Sequence, residues 1–283
     1  MPWVETNGIE TYYHDYGTGQ PLIVLHGATA DHQAWAEQLQ PLTDEFRVLL
    51  YDLRGHGKTG GSDREHYTVD TYADDLTAFI DALDLDQPVV LGHSWGGMIG
   101  YTFAADHPDQ LTALITVGSM TPHSFSKKEW VYKSVITRVL TPAMANERLR
   151  NGVQWGLTKI FGEEATVDAD ELQQLRDAHD CDVPDLQATE RGKILRAVQE
   201  YWSIESWHPP ETPLLMLYGE HEPFLAAHGE YLETELSDCH SRQIPDASHN
   251  SQVDNPEFIR TQIREFQNTS VGSSEREQAH PQS

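Results

Sequence analysis

Short, continuous apolar runs separated by segments of helical periodicity constrain this chain more than any other feature. Residues 21–25, 47–51, 88–91 and 111–117 are β-rich and continuous rather than alternating, as strands buried on both faces must be. Between them, residues 70–83 carry Tyr72, Leu76, Phe79, Ile80 and Leu83 at helical spacing, and residues 96–105 are small and apolar enough to pack closely. Strands alternating with helices predict an α/β fold with a mostly parallel central sheet flanked by helices. A hairpin is expected over residues 3–16, where Asn7-Gly8 supplies the positive φ of a tight turn.

The rhythm breaks after Val117. Residues 121–210 hold helix-like acidic and aromatic stretches without a comparable strand run, which predicts an inserted helical cap dividing the core into residues 1–120 and 211–267. An apolar strand at 214–218, a helix at 228–236, a short strand at 241–244 and a helix at 256–266 resume the pattern. Residues 268–283 are polar and almost free of apolar side chains, so a disordered tail is expected.

The chemistry concentrates where the strand at 89–91 runs into Gly92-His93-Ser94-Trp95-Gly96-Gly97 and then a helix. This is G-x-S-x-G in a strand-turn-helix context, where a strained turn presents the serine above the sheet and glycines avoid clashes around it. The following helix points its free N–H groups at the serine, with Trp95 N–H as the natural first donor to an oxyanion. A serine hydroxyl also needs a base to take its proton, and the base needs a group to orient it.

Together these features resemble the serine-nucleophile branch of the α/β-hydrolase superfamily, over nearly all the chain except the tail. The resemblance implies an α/β-hydrolase fold with an inserted cap and Ser94 as nucleophile. Leu25-His26-Gly27-Ala28 resembles the family's oxyanion loop, which makes Ala28 the second backbone donor. Residues 52–57 resemble its D-x-R-G-x-G turn and Gln33-Ala34-Trp35 a recurring helix start, so His26, Asp52, Arg54 and Trp35 are read as scaffold. Residues 244–250 resemble the loop that carries the catalytic histidine, here His249. Tyr218-Gly219-Glu220-His221-Glu222-Pro223 resembles the loop that carries the acid, and places Glu222 where aspartate is commoner. Glu220 and Asp246 stay open as substitutes, while residues 118–121, at the family's alternative acid position, offer no carboxylate.

The implied reaction is acyl transfer: a serine hydrolase, carboxylesterase or lactonase, acting on a small, largely apolar substrate. Other branches stay open. Ser94-Trp95-Gly96 also resembles the elbow of proline iminopeptidases, whose substrate ammonium Glu163 and Glu164 could meet. A carbon-carbon bond hydrolase and a non-catalytic ligand receptor are further readings on the same fold. Serine in place of a carboxylate disfavours the dehalogenase and epoxide-hydrolase branches. Phe125, Trp130, Tyr132, Trp155, Phe161, Trp202 and Trp207 are the cap aromatics from which a pocket can be built, with Trp130, Trp155 and Trp202 expected to bind substrate.

Composition narrows the partners. A formal charge of -26 opposes nucleic acid, and the absence of a long apolar run or of a basic, apolar start predicts a cytoplasmic protein without a membrane span. Cys181 and Cys239 lack metal or disulfide spacing, the histidines form no compact ligand pattern, and no phosphate- or dinucleotide-binding loop is present, so neither metal nor cofactor is expected. Acids spread along the whole chain keep a surface hydrated where salt screens each charge over a few ångströms, which points to a salt-adapted protein. Circular dichroism in molar KCl is expected to show the folded spectrum; unfolding there, with folding in dilute buffer, would contradict salt adaptation.

Overall fold

The computed structural model describes residues 2–28, 30–135 and 188–271. Eight strands, β1 (Trp3–Thr6), β2 (Ile9–Tyr16), β3 (Gln20–Leu25), β4 (Phe46–Tyr51), β5 (Val89–His93), β6 (Ala113–Val117), β7 (Leu214–Gly219) and β8 (Cys239–Ile244), form one sheet in the order β1-β2-β4-β3-β5-β6-β7-β8. Only β1 with β2 and β2 with β4 pair antiparallel; every pairing from β4 through β8 is parallel. The continuous apolar runs have a direct cause. In β3, Leu22 and Val24 enter one core layer while Ile23 and Leu25 enter the other, and β6 and β7 alternate in the same way. These inner strands are therefore apolar at nearly every position because they have no solvent face, whereas the outer strands β1, β2 and β8 mix polar and exposed residues.

Helices α1 (Gln33–Leu39), α2 (Val69–Ala82), α3 (Trp95–Asp106), α4 (Lys127–Val135), α5 (Ala188–Tyr201), α6 (Leu225–Glu235), α7 (Ser251–Asp254) and α8 (Pro256–Phe266) complete the described elements. α2 begins with a capping box between Thr68 and Thr71. α8 begins with Asn255 accepting from Phe258 N–H and Pro256 in the first turn, and buries Ile259, Ile263 and Phe266 along one face. The hairpin turn lies at Asn7 and Gly8, with φ of 40° and 77°. Two boundaries differ from the sequence reading. α6 starts at Leu225 rather than 228 because Phe224, in the left-handed region, ends the preceding loop. The polar tail is not irregular from 268: residues Gln267–Val271 continue as a π turn in which the Thr269 hydroxyl donates to the carbonyls of Glu265 and Phe266. Residues 272–283 lie outside the described part.

Polar pairs tie the loops to this frame. Arg54 donates to both oxygens of Asp75 at 2.7 and 2.6 Å, fixing the loop after β4 against α2. Between β6 and β7 the described residues form α4 and α5, each joined to the core by buried charge. Glu129 and Lys133 of α4 pair with each other at 2.8 Å, and Glu129 accepts from His228 of α6 at 2.9 Å. On α5, Glu190 accepts from Tyr67 and pairs with Lys193 at 2.8 Å. Burial opposes the charge on Glu129, but the hydrogen bonds from His228 and Lys133 outweigh it and hold its pKa down to about 2.

Burial makes His14, His26, His56, His93 and His228 resist protonation, and three of them stand out. His26 and His93 are pushed down to about 3, and His228 is lowered as well, with desolvation the largest cause in each. Hydrogen bonds agree for two of them: Leu53 N–H donates to His26 Nε2, and Thr121 N–H donates to His228 Nδ1, so both rings offer a lone pair. The unfolded chain takes up these protons near pH 6.5 and the folded chain does not, so stability is full above that value and falls as the pH drops toward 3. Each group contributes a slope of up to about 1.4 kcal/mol per pH unit. Thermal unfolding in molar KCl, which screens the surface acids, should show a Tm that declines steadily below pH 6.5; a Tm level down to pH 4 would contradict it.

Candidate active site

Three loops at the carboxyl ends of β5, β7 and β8 converge on one point. Ser94 sits between β5 and α3 with φ 52° and ψ -113°, a conformation L residues rarely hold. The turn is possible because the residues two positions to either side, Gly92 and Gly96, have no side chains: a Cβ on Gly96 would lie 2.1 Å from the Leu25 carbonyl oxygen. Packing at that distance sets the start of α3 directly over β3, and Ser94 N–H bonds the Val117 carbonyl of β6 at 2.9 Å. The backbone strain is therefore held by contacts on both sides.

His249 Nε2 stands 3.0 Å from Ser94 Oγ, and His249 Nδ1–H donates to Glu222 Oε1 at 2.7 Å. The second oxygen of Glu222 accepts Gly219 N–H at 2.7 Å, so both ends of the carboxylate are fixed. Binding at Nδ1 leaves the Nε2 lone pair facing the hydroxyl, the tautomer needed to accept its proton. The extra methylene of glutamate has room because residue 118 is glycine. A Cβ there would lie 3.0 Å from Glu222 Oε1 and 3.3 Å from His249 Nδ1, and φ at Gly118 is 61°. The other acids considered from sequence point elsewhere, Glu220 accepting from Asp246 N–H at 3.0 Å.

Opposite the serine lies the loop after β3. The Gly27 carbonyl accepts from Ala30 N–H at 3.1 Å and from His26 Nδ1–H at 2.8 Å. That carbonyl and Ala28 N–H share one trans peptide plane and point in opposite directions, so pinning one aims the other. His56 Nε2 contacts the Ala28 carbonyl at 2.9 Å. Ala28, Trp95 and Ser94 line the same pocket, and Trp95, as the first residue of α3, has no intrahelical acceptor for its N–H.

The sequence profile of the alpha/beta hydrolase fold matches residues 20–256. The chain belongs to the α/β-hydrolase family. Within it, the chain is similar to epoxide hydrolase 3 of Xenopus tropicalis, 26% identical over 93% of this chain and 76% of that protein. It is similar to 2-hydroxy-6-oxo-2,4-heptadienoate hydrolase of Pseudomonas putida, 33% identical over 41% of this chain and 44% of that protein. An epoxide hydrolase crystal structure from Bacillus megaterium superposes with a TM-score of 0.74 at 19% identity, covering 94% of this chain and all of that one, which speaks to the fold.

The helices described between β6 and β7 contribute to the pocket lining. Tyr132 of α4, Val198 of α5 and the nearby Trp202 line it from this side, with Met98, Met120 and Pro223 below. Burial, with a smaller contribution from the charge of Glu222, pushes the Tyr132 phenol up to about 12 and keeps it a neutral hydroxyl. Of the aromatics expected to bind substrate, the structure brings Trp202 to the pocket, leaves Trp130 58% exposed, and does not describe Trp155. Trp130 faces out because Glu129 and Lys133, one helical turn apart, occupy the inner face of α4 to reach His228. Phe125 is exposed and Trp207 belongs to the main core; Phe161, Glu163, Glu164 and Cys181 lie outside the described residues. Met98, Met120, Val198 and Pro223 were not singled out from sequence, although Met120 and Pro223 lie beside the motifs that were.

Asp31, His32 and Asp52 form the one group among the described residues with metal-ligand proximity. Both oxygens of Asp52 are already engaged, accepting from His32 N–H, from His32 Nδ1–H and from Lys58 N–H, and Asp31 Oδ1 accepts Gln33 N–H. This cluster joins the start of α1 to the loop after β4. Cys239 is buried and its thiol pushed up to about 12, chiefly by desolvation, which leaves it a poor nucleophile.

The bidentate hold on Glu222 gives an ordered expectation for its variants. Glu222→Gln removes the charge that fixes the tautomer and should slow fluorophosphonate labelling of Ser94 by about 10²–10⁴-fold. Glu222→Asp, too short to reach both His249 and Gly219, should fall between that variant and the wild type; equal rates for all three would detach the acid from the site.

Proposed function

We propose that this α/β-hydrolase is a serine hydrolase that cleaves an uncharged carboxylic ester or lactone through an acyl-enzyme. The observation that carries the reading is the continuous Ser94–His249–Glu222 hydrogen-bond chain at 3.0 and 2.7 Å. Ser94 Oγ attacks the substrate carbonyl carbon as its proton passes to His249 Nε2, and Glu222 stabilises the imidazolium that results. The N–H groups of Ala28 and Trp95 receive the oxyanion, whose collapse expels the alcohol with the proton from His249. Water, deprotonated by the same imidazole, then attacks the acyl carbon and releases the acid and Ser94.

The pocket supports an uncharged substrate. Apart from the Glu222-His249 pair, its described lining is apolar or neutral, with Met98, Met120, Val198, Trp202 and the protonated Tyr132. No lysine or arginine is present in that lining to meet a substrate carboxylate, and its only acid is bound to His249. Burying an unpaired charge there would be costly, which ranks neutral esters and lactones above an aminoacyl ammonium. A carbon-carbon bond hydrolase is the second reading, favoured by the match to the Pseudomonas putida enzyme. Epoxide opening fits Ser94 poorly: a serine would be left as an ether, without the carbonyl that hydrolysis of an ester intermediate uses. The intact hydrogen-bond chain also favours an enzyme over a receptor on this fold.

A fluorophosphonate probe followed by peptide mass spectrometry tests the reading. Label is expected on Ser94, absent in Ser94→Ala and lost in His249→Ala. Hydrolysis of short-chain nitrophenyl esters should drop at least about 10⁴-fold in Ser94→Ala with Tm little changed. Folded wild-type protein that takes no label, or Ser94→Ala with undiminished ester hydrolysis, would overturn it.

A further inference from the structure

The residue before the nucleophile has no role in the reaction above, yet it touches the base. His93 is buried at the end of β5, and its Nε2 lies 2.9 Å from the main-chain carbonyl oxygen of His249. A carbonyl only accepts, so Nε2 carries the proton and donates it. The two rings are 5.1 Å apart, and Trp35 lies edge-on to the other side of His93, with centroids 6.0 Å apart. Nδ1 of His93 makes no hydrogen bond and faces Gly27, where a Cβ would stand 3.3 Å away. A buried imidazole with one nitrogen unbonded is a poor choice for stability alone, since an apolar side chain of similar volume would leave no polar atom unsatisfied.

The His249 loop explains the use. Its neighbours are held from the outer side: the Ala247 carbonyl by His221 N–H, and Ser248 N–H and Oγ by Asp254. The Ser248 carbonyl accepts from Ser251 Oγ, and His93 holds the His249 carbonyl from the side of the elbow. The imidazole of His249 pivots on the Cα between these restraints, and a displacement of about 1 Å there is enough to misalign the approach to Ser94 Oγ.

We propose that His93 is a positioning residue, one that fixes the main chain of His249 so that nucleophile and base keep their separation. The strand that presents Ser94 therefore also carries the tether for its base, and a movement of the elbow moves both partners together. Because the His93 ring stays neutral under burial and beside His249, it adds no charge to oppose the imidazolium. The inference rests on His249 being the base, and the test separates the two.

His93→Leu removes the donor and keeps the bulk; His93→Gln returns an N–H near the position of Nε2. Against a short-chain nitrophenyl ester, His93→Leu should lower kcat about 10- to 100-fold with KM within about threefold, and His93→Gln should recover most of the loss. Hydrogen-deuterium exchange, which needs no activity, should show faster exchange over residues 246–251 in His93→Leu, return toward wild type in His93→Gln, and no change over residues 95–106. Failure of the wild-type enzyme to label on Ser94 would strike at the catalytic reading, while exchange would still decide the tether. Unaltered exchange over 246–251 in His93→Leu, or equal loss of kcat in both variants, would overturn the proposal.

Discussion

Everything chemical in this molecule depends on the left-handed turn that Ser94 holds between β5 and α3. A residue with a side chain occupies that region only under restraint, and here the restraint is the sheet itself. α3 lies so close to β3 that the Leu25 carbonyl leaves no space for a Cβ at residue 96, and the neighbouring strand β6 takes the Ser94 N–H. The hydroxyl stands clear of the sheet because the backbone below it has nowhere else to go. Parallel strand order then does the rest, since β6, β7 and β8 lie successively beyond β5 and end on the same edge, where Gly118, Glu222 and His249 meet.

Around this point the neutral histidines act as fixed connectors. The His26 ring accepts from Leu53 and donates to Gly27, so its tautomer is set by the loop after β4 and in turn sets the peptide that carries Ala28 N–H. His93 does the same between the elbow and the His249 loop. His228 accepts from Thr121 and donates to Glu129, linking the end of β6, α6 and α4. His26 and His93 give their protons to backbone carbonyls and His228 gives its proton to Glu129, and because all three rings are buried, protonating them opposes folding.

The frame was legible in the sequence where local chemistry decides it. Continuous apolar runs, Asn7-Gly8 and the glycines around Ser94 need no distant partner to be understood. The acid was less so: the resemblance pointed to Glu222 but left Glu220 and Asp246 open, and only the packing of β7 against β8 sets Glu220 on Asp246 and Glu222 on His249. Helix α4 inverted the usual rule. Glu129 and Lys133 face inward and Trp130 outward because their partner, His228, lies far along the chain, beyond the reach of any periodicity argument. The apolar pocket residues Met98, Met120, Val198 and Pro223 gave no signal because an apolar side chain reads the same whether it faces a core or a substrate.

The inward pairs on α4 and α5 divide the charges of this protein into two populations that respond differently to ionic strength. Surface acids, which make up most of the -26, interact through water and fade as salt rises. Glu129 with Lys133 and His228 sits where counterions do not enter, and Glu190 is buried on Tyr67 beside a partly exposed Lys193. Raising salt therefore weakens the repulsion that would spread the molecule without loosening the buried fastener that holds α4 to α6. Brine changes how the exterior repels itself while the pocket keeps its walls.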